Sequence, residues 1–209
     1  PESCGQNQLI SHCTHASIGS MDFLGQRMPY VTAFSKALGT GMVISADSPI
    51  DDKVRSAMES LIEDYEHVLS RFRNDSLIAA IGKAEHGGSF DFPDWCAPLF
   101  DLYDALFSAT SGAIDPCVGE DLIRLGYDAS LSFTVTQDAP EHLGALRGRA
   151  VWGRDVTRHG TTLVTHEPVQ LDFGACGKGY LVDLLGRMLR STQFVIDAGG
   201  DLLIHAEQP

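Results

Sequence analysis

Basic side chains are scarce in this sequence. Its 209 residues include 15 lysines and arginines against 28 acids, a net charge of -13. Such a surface repels phosphate backbones and argues against nucleic acid as a partner. It leaves room for one phosphate ligand, because a helix N-terminus or a bridging divalent cation can override the global field locally. Long apolar runs are missing, so no segment reaches membrane-spanning length. The first 30 residues lack the basic start and apolar stretch of a signal peptide. The five cysteines, Cys4, Cys13, Cys96, Cys117 and Cys176, are odd in number and fit no zinc spacing. Free thiols are the expectation, with a Cys4–Cys13 disulfide open only to an exported chain. Repeats at a solenoid period are absent, and so is a regular βαβ alternation. The chain opens on Pro1 and not on methionine, so the expectation is that the true N-terminus is missing or processed. As it stands the chain reads as cytoplasmic. Cys4-Gly5 would make it a cell-envelope lipoprotein only if an N-terminal signal had been removed.

What is present is ordinary for a folded protein: 44% hydrophobic and 21% charged residues. Residues 1–32 read as an irregular polar extension and residues 33–209 as one core. Ala33 to Ala46 carries strand signals, broken at Gly39-Thr40-Gly41 by a bulge or a close backbone approach. Ser48-Pro49-Ile50-Asp51 predicts a helix capped by Ser48. Its apolar face would be Val54, Met58, Leu61, Ile62, Tyr65, Val68 and Leu69, and it should end near Ser70. Ser76 caps a short second helix carrying Leu77, Ile78 and Ile81. A third helix starts at Asp94, buries Leu99, Leu102, Tyr103, Leu106 and Phe107, and stops at Gly112. A short helix is expected over Glu141–Leu146. Strands are expected over Val151–Thr157, Thr161–His166 and Val169–Phe173, then a helix from Gly177 to Leu189. A hairpin of Phe194–Asp197 and Leu202–His205 closes the chain. The mixture predicts an α+β fold, with a mixed or antiparallel sheet and packed helices.

Three glycine-containing segments carry the chemistry. In Gly112-Ala113-Ile114-Asp115-Pro116, the proline restricts the backbone at Asp115. A carboxylate held that way can accept hydrogen bonds from a ligand; it can equally be part of a helix stop and a turn. Leu171-Asp172-Phe173-Gly174-Ala175-Cys176-Gly177-Lys178-Gly179-Tyr180 reads as strand, small-residue loop and helix start. It offers backbone access, a helix N-terminus for an anion and carbonyls for a hard cation. It is not a P-loop, since Gly179 stands where serine or threonine should follow Lys178. A plain tight turn is the alternative. Asp197-Ala198-Gly199-Gly200-Asp201 by itself is a hairpin turn. His12 and His15 read as a solvated pair, Ser70 and Ser76 have no evident triad partners, and Trp95 and Trp152 read as packing residues.

Taken in order with Ser70-Arg71-Phe72-Arg73-Asn74-Asp75-Ser76 and Ala37-Leu38-Gly39-Thr40, these segments resemble the ApbE family of FAD:protein FMN transferases over about residues 33–206. The resemblance implies the ApbE-like fold with its C-terminal portion absent. It implies binding of FAD as substrate and of Mg2+, and transfer of FMN to a threonine or serine hydroxyl of a target flavoprotein acceptor, with release of AMP. Carried over by position, Leu38 and Phe72 would contact the isoalloxazine ring. Ala113, Ile114, Asp115, Gly174 and Tyr180 would line the flavin, and the Gly177 carbonyl would be a metal ligand. Ile114 stands where the family usually has an aromatic, and Gly177 where alanine is common. The family continues beyond the Gly-Gly-Asp hairpin with a histidine-bearing segment and a helix whose aspartate and threonine complete the metal site. The alternatives are FAD hydrolysis to AMP and FMN, or FAD binding without chemistry.

Overall fold

A computed structural model of the chain describes residues 27–191 and 193–206. The expected Cys4–Cys13 pairing and the His12/His15 pair lie outside those residues, as does most of the expected N-terminal extension.

The first strand, β1 (Tyr30–Ala37), begins three residues before the expected Ala33 and turns directly into β2 (Thr40–Ala46). Leu38 and Gly39 form the turn, with φ of 54° and 74°. Two consecutive left-handed residues suit the twist of a two-residue hairpin. The Gly39 region is therefore a turn, and the bulge lies before it, where the register slips between Phe34↔Met42 and Ala37↔Thr40.

Helix α1 (Asp52–Leu69) starts at Asp51, not at the expected Ser48. The Asp51 carboxylate accepts the Lys53 N–H at 2.8 Å, while the Ser48 hydroxyl is engaged with that of Ser191 at 2.9 Å. Met58, Ile62, Tyr65 and Leu69 form its buried stripe. Helix α2 (Leu77–Lys83) is capped by Ser76 as expected, its hydroxyl accepting the Ala79 N–H. Strand β3 (Gly88–Asp91) has no counterpart in the sequence reading. A 3-10 turn at Asp94–Cys96 leads into α3 (Ala97–Ala109), which buries Leu99, Phe100 and Tyr103. Leu102 is exposed, because Leu99 and Tyr103 at i and i+4 place Phe100, not Leu102, on the core side.

After a 3-10 turn at Pro116–Val118 come α4 (Gly119–Arg124) and α5 (Ala139–His142). The last two strands of the small sheet are β4 (Val156–His159) and β5 (Thr162–Thr165). Most of the expected Val151–Thr157 strand is instead a turn, closed by the Arg154 and Asp155 N–H groups on the Val151 carbonyl. Val169, Leu171 and Phe173 do alternate inward, but Val169–Phe173 is not a strand. Its neighbour is the 116–119 segment, to which the Asp172 N–H donates at the Pro116 carbonyl. Helix α6 (Gly174–Gly186) begins and ends three residues earlier than expected. The hairpin β6 (Phe194–Ala198) and β7 (Asp201–His205) matches expectation.

The strands form two antiparallel sheets, ordered β1-β2-β6-β7 and β3-β5-β4. Helix α6 packs on β6 and β7, and α1 and α3 pack on α6. Phe92, Phe100, Tyr103, Trp152 and Phe173 form an aromatic cluster within the core. The fold is α+β with packed helices, as expected. Among the described residues no helix is long and apolar enough to cross a membrane.

Candidate functional site

Three of the segments singled out in the sequence meet at Asp172. One carboxylate oxygen accepts the Gly174 N–H, the first of α6, at 2.7 Å. The other accepts from the Arg71 guanidinium, 101 residues away in sequence. The side chains of this pair are only 9% and 12% exposed. The backbone N–H of Asp172 donates to Pro116, at the end of the Asp115-Pro116 segment, at 2.7 Å.

Phe72 projects from the same loop as Arg71, whose guanidinium carbon lies 4.2 Å from the centre of the Phe72 ring. Leu38 reaches this loop through Glu66: its N–H donates to the Glu66 carboxylate at 2.6 Å, and Glu66 lies 3.7 Å from Arg73. That bond holds a leucine in a left-handed conformation that a branched side chain ordinarily avoids. The Gly199-Gly200 turn joins from the far side. Lys178 on α6 pairs with Asp201 at 3.5 Å, and a Cβ on Gly199 would lie 3.1 Å from the Thr40 hydroxyl.

Gly177 is buried within the first turns of α6, not at its start. Its carbonyl accepts the Tyr65 hydroxyl at 2.7 Å. The Tyr65 ring stacks on Trp95 with centroids 5.1 Å apart, and the Tyr180 hydroxyl donates to the Trp95 carbonyl at 2.6 Å. Burial raises the pKa of both phenols, so each stays a proton donor at neutral pH.

Asp115 is buried and fully engaged within the chain. One oxygen accepts the N–H groups of Cys117 at 2.8 Å and Trp152 at 3.3 Å. The other accepts from Arg149 at 3.0 Å, and Arg149 also faces Asp121 at 2.9 Å. In this arrangement the carboxylate fixes the turn. Ala113 is exposed and Ile114 half-buried, the latter donating its N–H to the Thr110 hydroxyl at 3.0 Å.

Two features of the sequence reading change here. The helix end expected at Gly177 to meet an anion lies at Gly174, and its first N–H is already taken by Asp172. The Arg71–Asp172 pair received no role from the sequence, although both residues stood inside the quoted motifs. A lone arginine near an aromatic gives no signal of a partner a hundred residues downstream.

The metal expectation rests on the Gly177 carbonyl. Among the described residues no three His, Cys, Asp or Glu side chains come together to hold a metal ion, and this carbonyl already accepts the Tyr65 hydroxyl. A hard divalent cation takes six or more oxygens. These donors do not by themselves fit one.

The α+β core of two antiparallel sheets and packed helices defines the class of fold. The family model described as "ApbE family" matches residues 38–209, and the chain belongs to that family. Among solved structures, it is similar to the flavin transferase ApbE of Vibrio cholerae at 20% identity and a TM-score of 0.72, over 84% of this chain and 58% of that one. The flavinyl transferase ApbE of Pseudomonas stutzeri gives 21% identity and a TM-score of 0.71, over 86% and 62%. The ApbE protein of Thermotoga maritima gives 20% identity and a TM-score of 0.64, over 84% and 58%. At such identities the likeness is one of fold. The chain spans about six-tenths of the length of these structures. No curated protein matches the sequence.

Proposed function

We propose that the chain is the flavin-binding part of an enzyme that transfers FMN from FAD to a threonine or serine hydroxyl of a flavoprotein, releasing AMP. The observation that carries this reading is the junction at Asp172, which brings the Phe72, Asp115 and Gly174 segments together from distant parts of the chain; the Leu38 hairpin joins the Phe72 loop through Glu66, and the Gly200 turn joins α6 through Lys178 and Asp201. Family membership supplies the chemistry. In the transfer, the acceptor hydroxyl oxygen bonds to the phosphorus of the FMN half. The pyrophosphate P–O bond breaks, AMP leaves with its electron pair, and the hydroxyl proton is lost to a base. Phe72 offers the isoalloxazine ring an apolar face, Leu38 holds the hairpin edge beside it, and Ala113, Ile114, Gly174 and Tyr180 complete the lining. Magnesium belongs to this reading as the family's metal.

The donor set around Gly177 favours a second reading for the 209-residue chain alone, namely FAD binding without transfer. Pyrophosphate cleavage needs its developing charge stabilised, and losing such stabilisation costs about 3 kcal/mol or more. The expected result is therefore saturable FAD binding, seen as fluorescence quenching, with little covalent labelling of a flavoprotein acceptor by FAD and magnesium on an in-gel fluorescence assay. Strong labelling would show that the metal site is complete within these residues. A flat FAD titration would overturn the flavin reading altogether.

A further inference from the structure

The four-stranded sheet ends on two edges of different character. At the β1 edge the register slips between Phe34 and Ala37, and Lys36 stands exposed in the slipped stretch. A bulge and a lysine both keep a sheet edge from pairing with another chain. The β7 edge, Asp201-Leu202-Leu203-Ile204-His205, has neither. Its pairs with β6 run unbroken from Ala198↔Asp201 to Phe194↔His205.

The turn fixes which groups this edge presents. Gly199 and Gly200 both have positive φ, and the hairpin closes on Ala198↔Asp201. In a two-residue hairpin the closing pair exchanges both backbone bonds, and bonded and non-bonded pairs then alternate. Asp201, Leu203 and His205 therefore bond to β6, and the N–H and C=O groups of Leu202 and Ile204 point away from the sheet. No strand takes them among the described residues. The side chains of these two residues are 61% and 63% exposed. By register they share one sheet face with Val31 and Val43, also exposed, while Leu203 meets α6 at Gly186 on the other. A sheet face that meets water ordinarily carries polar side chains, so apolar ones beside an open edge mark a contact surface.

The edge is complementary to itself. Laid antiparallel against a second β7 about a two-fold axis at Leu203, Leu202 faces the partner's Ile204, and Asp201 faces the partner's His205. This is the one antiparallel register that pairs all five residues of the strand. It makes Leu202 and Ile204 the bonded positions, so every outward N–H and C=O of both strands finds a partner. At the non-bonded pairs, where side chains come closer, the Asp201 carboxylate accepts from the partner's imidazole.

We infer that the β7 edge is a dimerisation surface whose occupant is the β7 edge of a second copy of this chain. A foreign strand would have to supply the same spacing of acid, apolar and imidazole side chains; a second copy supplies it by symmetry. A five-residue edge buries less than a permanent dimer needs, so the association is reversible.

The experiment is sedimentation equilibrium of the 209-residue chain over a range of concentrations. A monomer–dimer equilibrium is expected. Ile204→Lys puts a charge on the edge and should raise the dissociation constant about tenfold or more. Val31→Lys puts the same charge on the same face at the opposite edge and should leave it unchanged. Oxidative cross-linking reads the register. Leu203→Cys should give a disulfide-linked dimer, because a non-bonded pair lies within disulfide reach. Ile204→Cys, facing a leucine, should give no more than the parent with its own cysteines. A parent that stays monomeric overturns the inference; protection of the Leu202 and Ile204 amides from hydrogen exchange in that monomer would assign the edge to another segment of the same chain. A dimer that Ile204→Lys leaves intact overturns it, as does one that both lysine variants weaken equally, since the sheet faces would then be stacked. Cross-linking of Ile204→Cys in place of Leu203→Cys overturns the pairing.

Discussion

Replacing Arg71 with methionine removes the cation from a pair that is about nine-tenths buried on both sides, while roughly preserving the length of the side chain. The Asp172 carboxylate then keeps only the Gly174 N–H as a partner. Stranding one charge of a buried pair costs about 3–5 kcal/mol, and losing the guanidinium over the Phe72 and Tyr127 rings adds about 1 kcal/mol. Methionine recovers part of this through its own apolar contact, so a net loss near 3 kcal/mol is expected. In a chain of this length that lowers the melting temperature by roughly 6–12 °C. The assay is thermal and urea unfolding of the parent, Arg71→Met, Asp172→Asn and the double variant. A coupling of more than about 1 kcal/mol between the two sites is expected, because each single change leaves the other partner uncompensated. A loss below about 1 kcal/mol in Arg71→Met, with additive singles, would mean that the pair behaves as a solvated surface contact. The junction at Asp172 would then not hold the site together.

Asp115→Asn should destabilise the chain by about 1–3 kcal/mol, since Arg149 loses one of its two counter-charges and keeps Asp121, while FAD affinity in the folded fraction stays within twofold; intact stability with lost affinity would return the carboxylate to the ligand. Tyr65→Phe should cost about 1 kcal/mol through the lost bond to the Gly177 carbonyl. In that background Gly177→Ala should stabilise by about 1 kcal/mol from helix propensity, because the hydroxyl 3.1 Å from the new Cβ is gone; urea midpoints of the four proteins check both, and a destabilising alanine in the phenylalanine background would refute the steric account.

The parts of the fold legible in the sequence were those specified locally. Ser76 bonds three residues ahead, so α2 was visible with its cap. The α1 stripe recurs at helical spacing, and Gly199-Gly200 bounds two apolar runs that do pair as β6 and β7. What failed depended on partners far away. Val169–Phe173 alternates like a strand, yet its backbone meets the 116–119 loop and no strand edge. Ser48 looked like a cap, but Ser191 takes its hydroxyl and Asp51 caps instead. Helix α6 starts at Gly174, where Asp172 takes the first N–H, whereas the run of glycines suggests a later start. For the site, the order of the motifs pointed to the family, but the geometry joining them did not show. The sequence leaves Asp115 open between ligand and turn, and the fold shows its carboxylate engaged by Arg149 and two backbone N–H groups.

The Asp172 junction also sets an order of assembly. Its partners come from residues 71 and 116, so its contacts close loops of about 100 and 56 residues, and such closures follow local structure because their entropy must be met first. During synthesis the Phe72 loop and the Asp115 turn emerge well before the carboxylate that clasps them. Until residue 172 leaves the ribosome, the β1-β2 hairpin, α1 and α2 can form, but the Phe72 and Asp115 segments have no common anchor. The junction is thus completed late, and a chain interrupted in the stretch between residues 116 and 172 would carry the Phe72 and Asp115 segments without the carboxylate that holds them together.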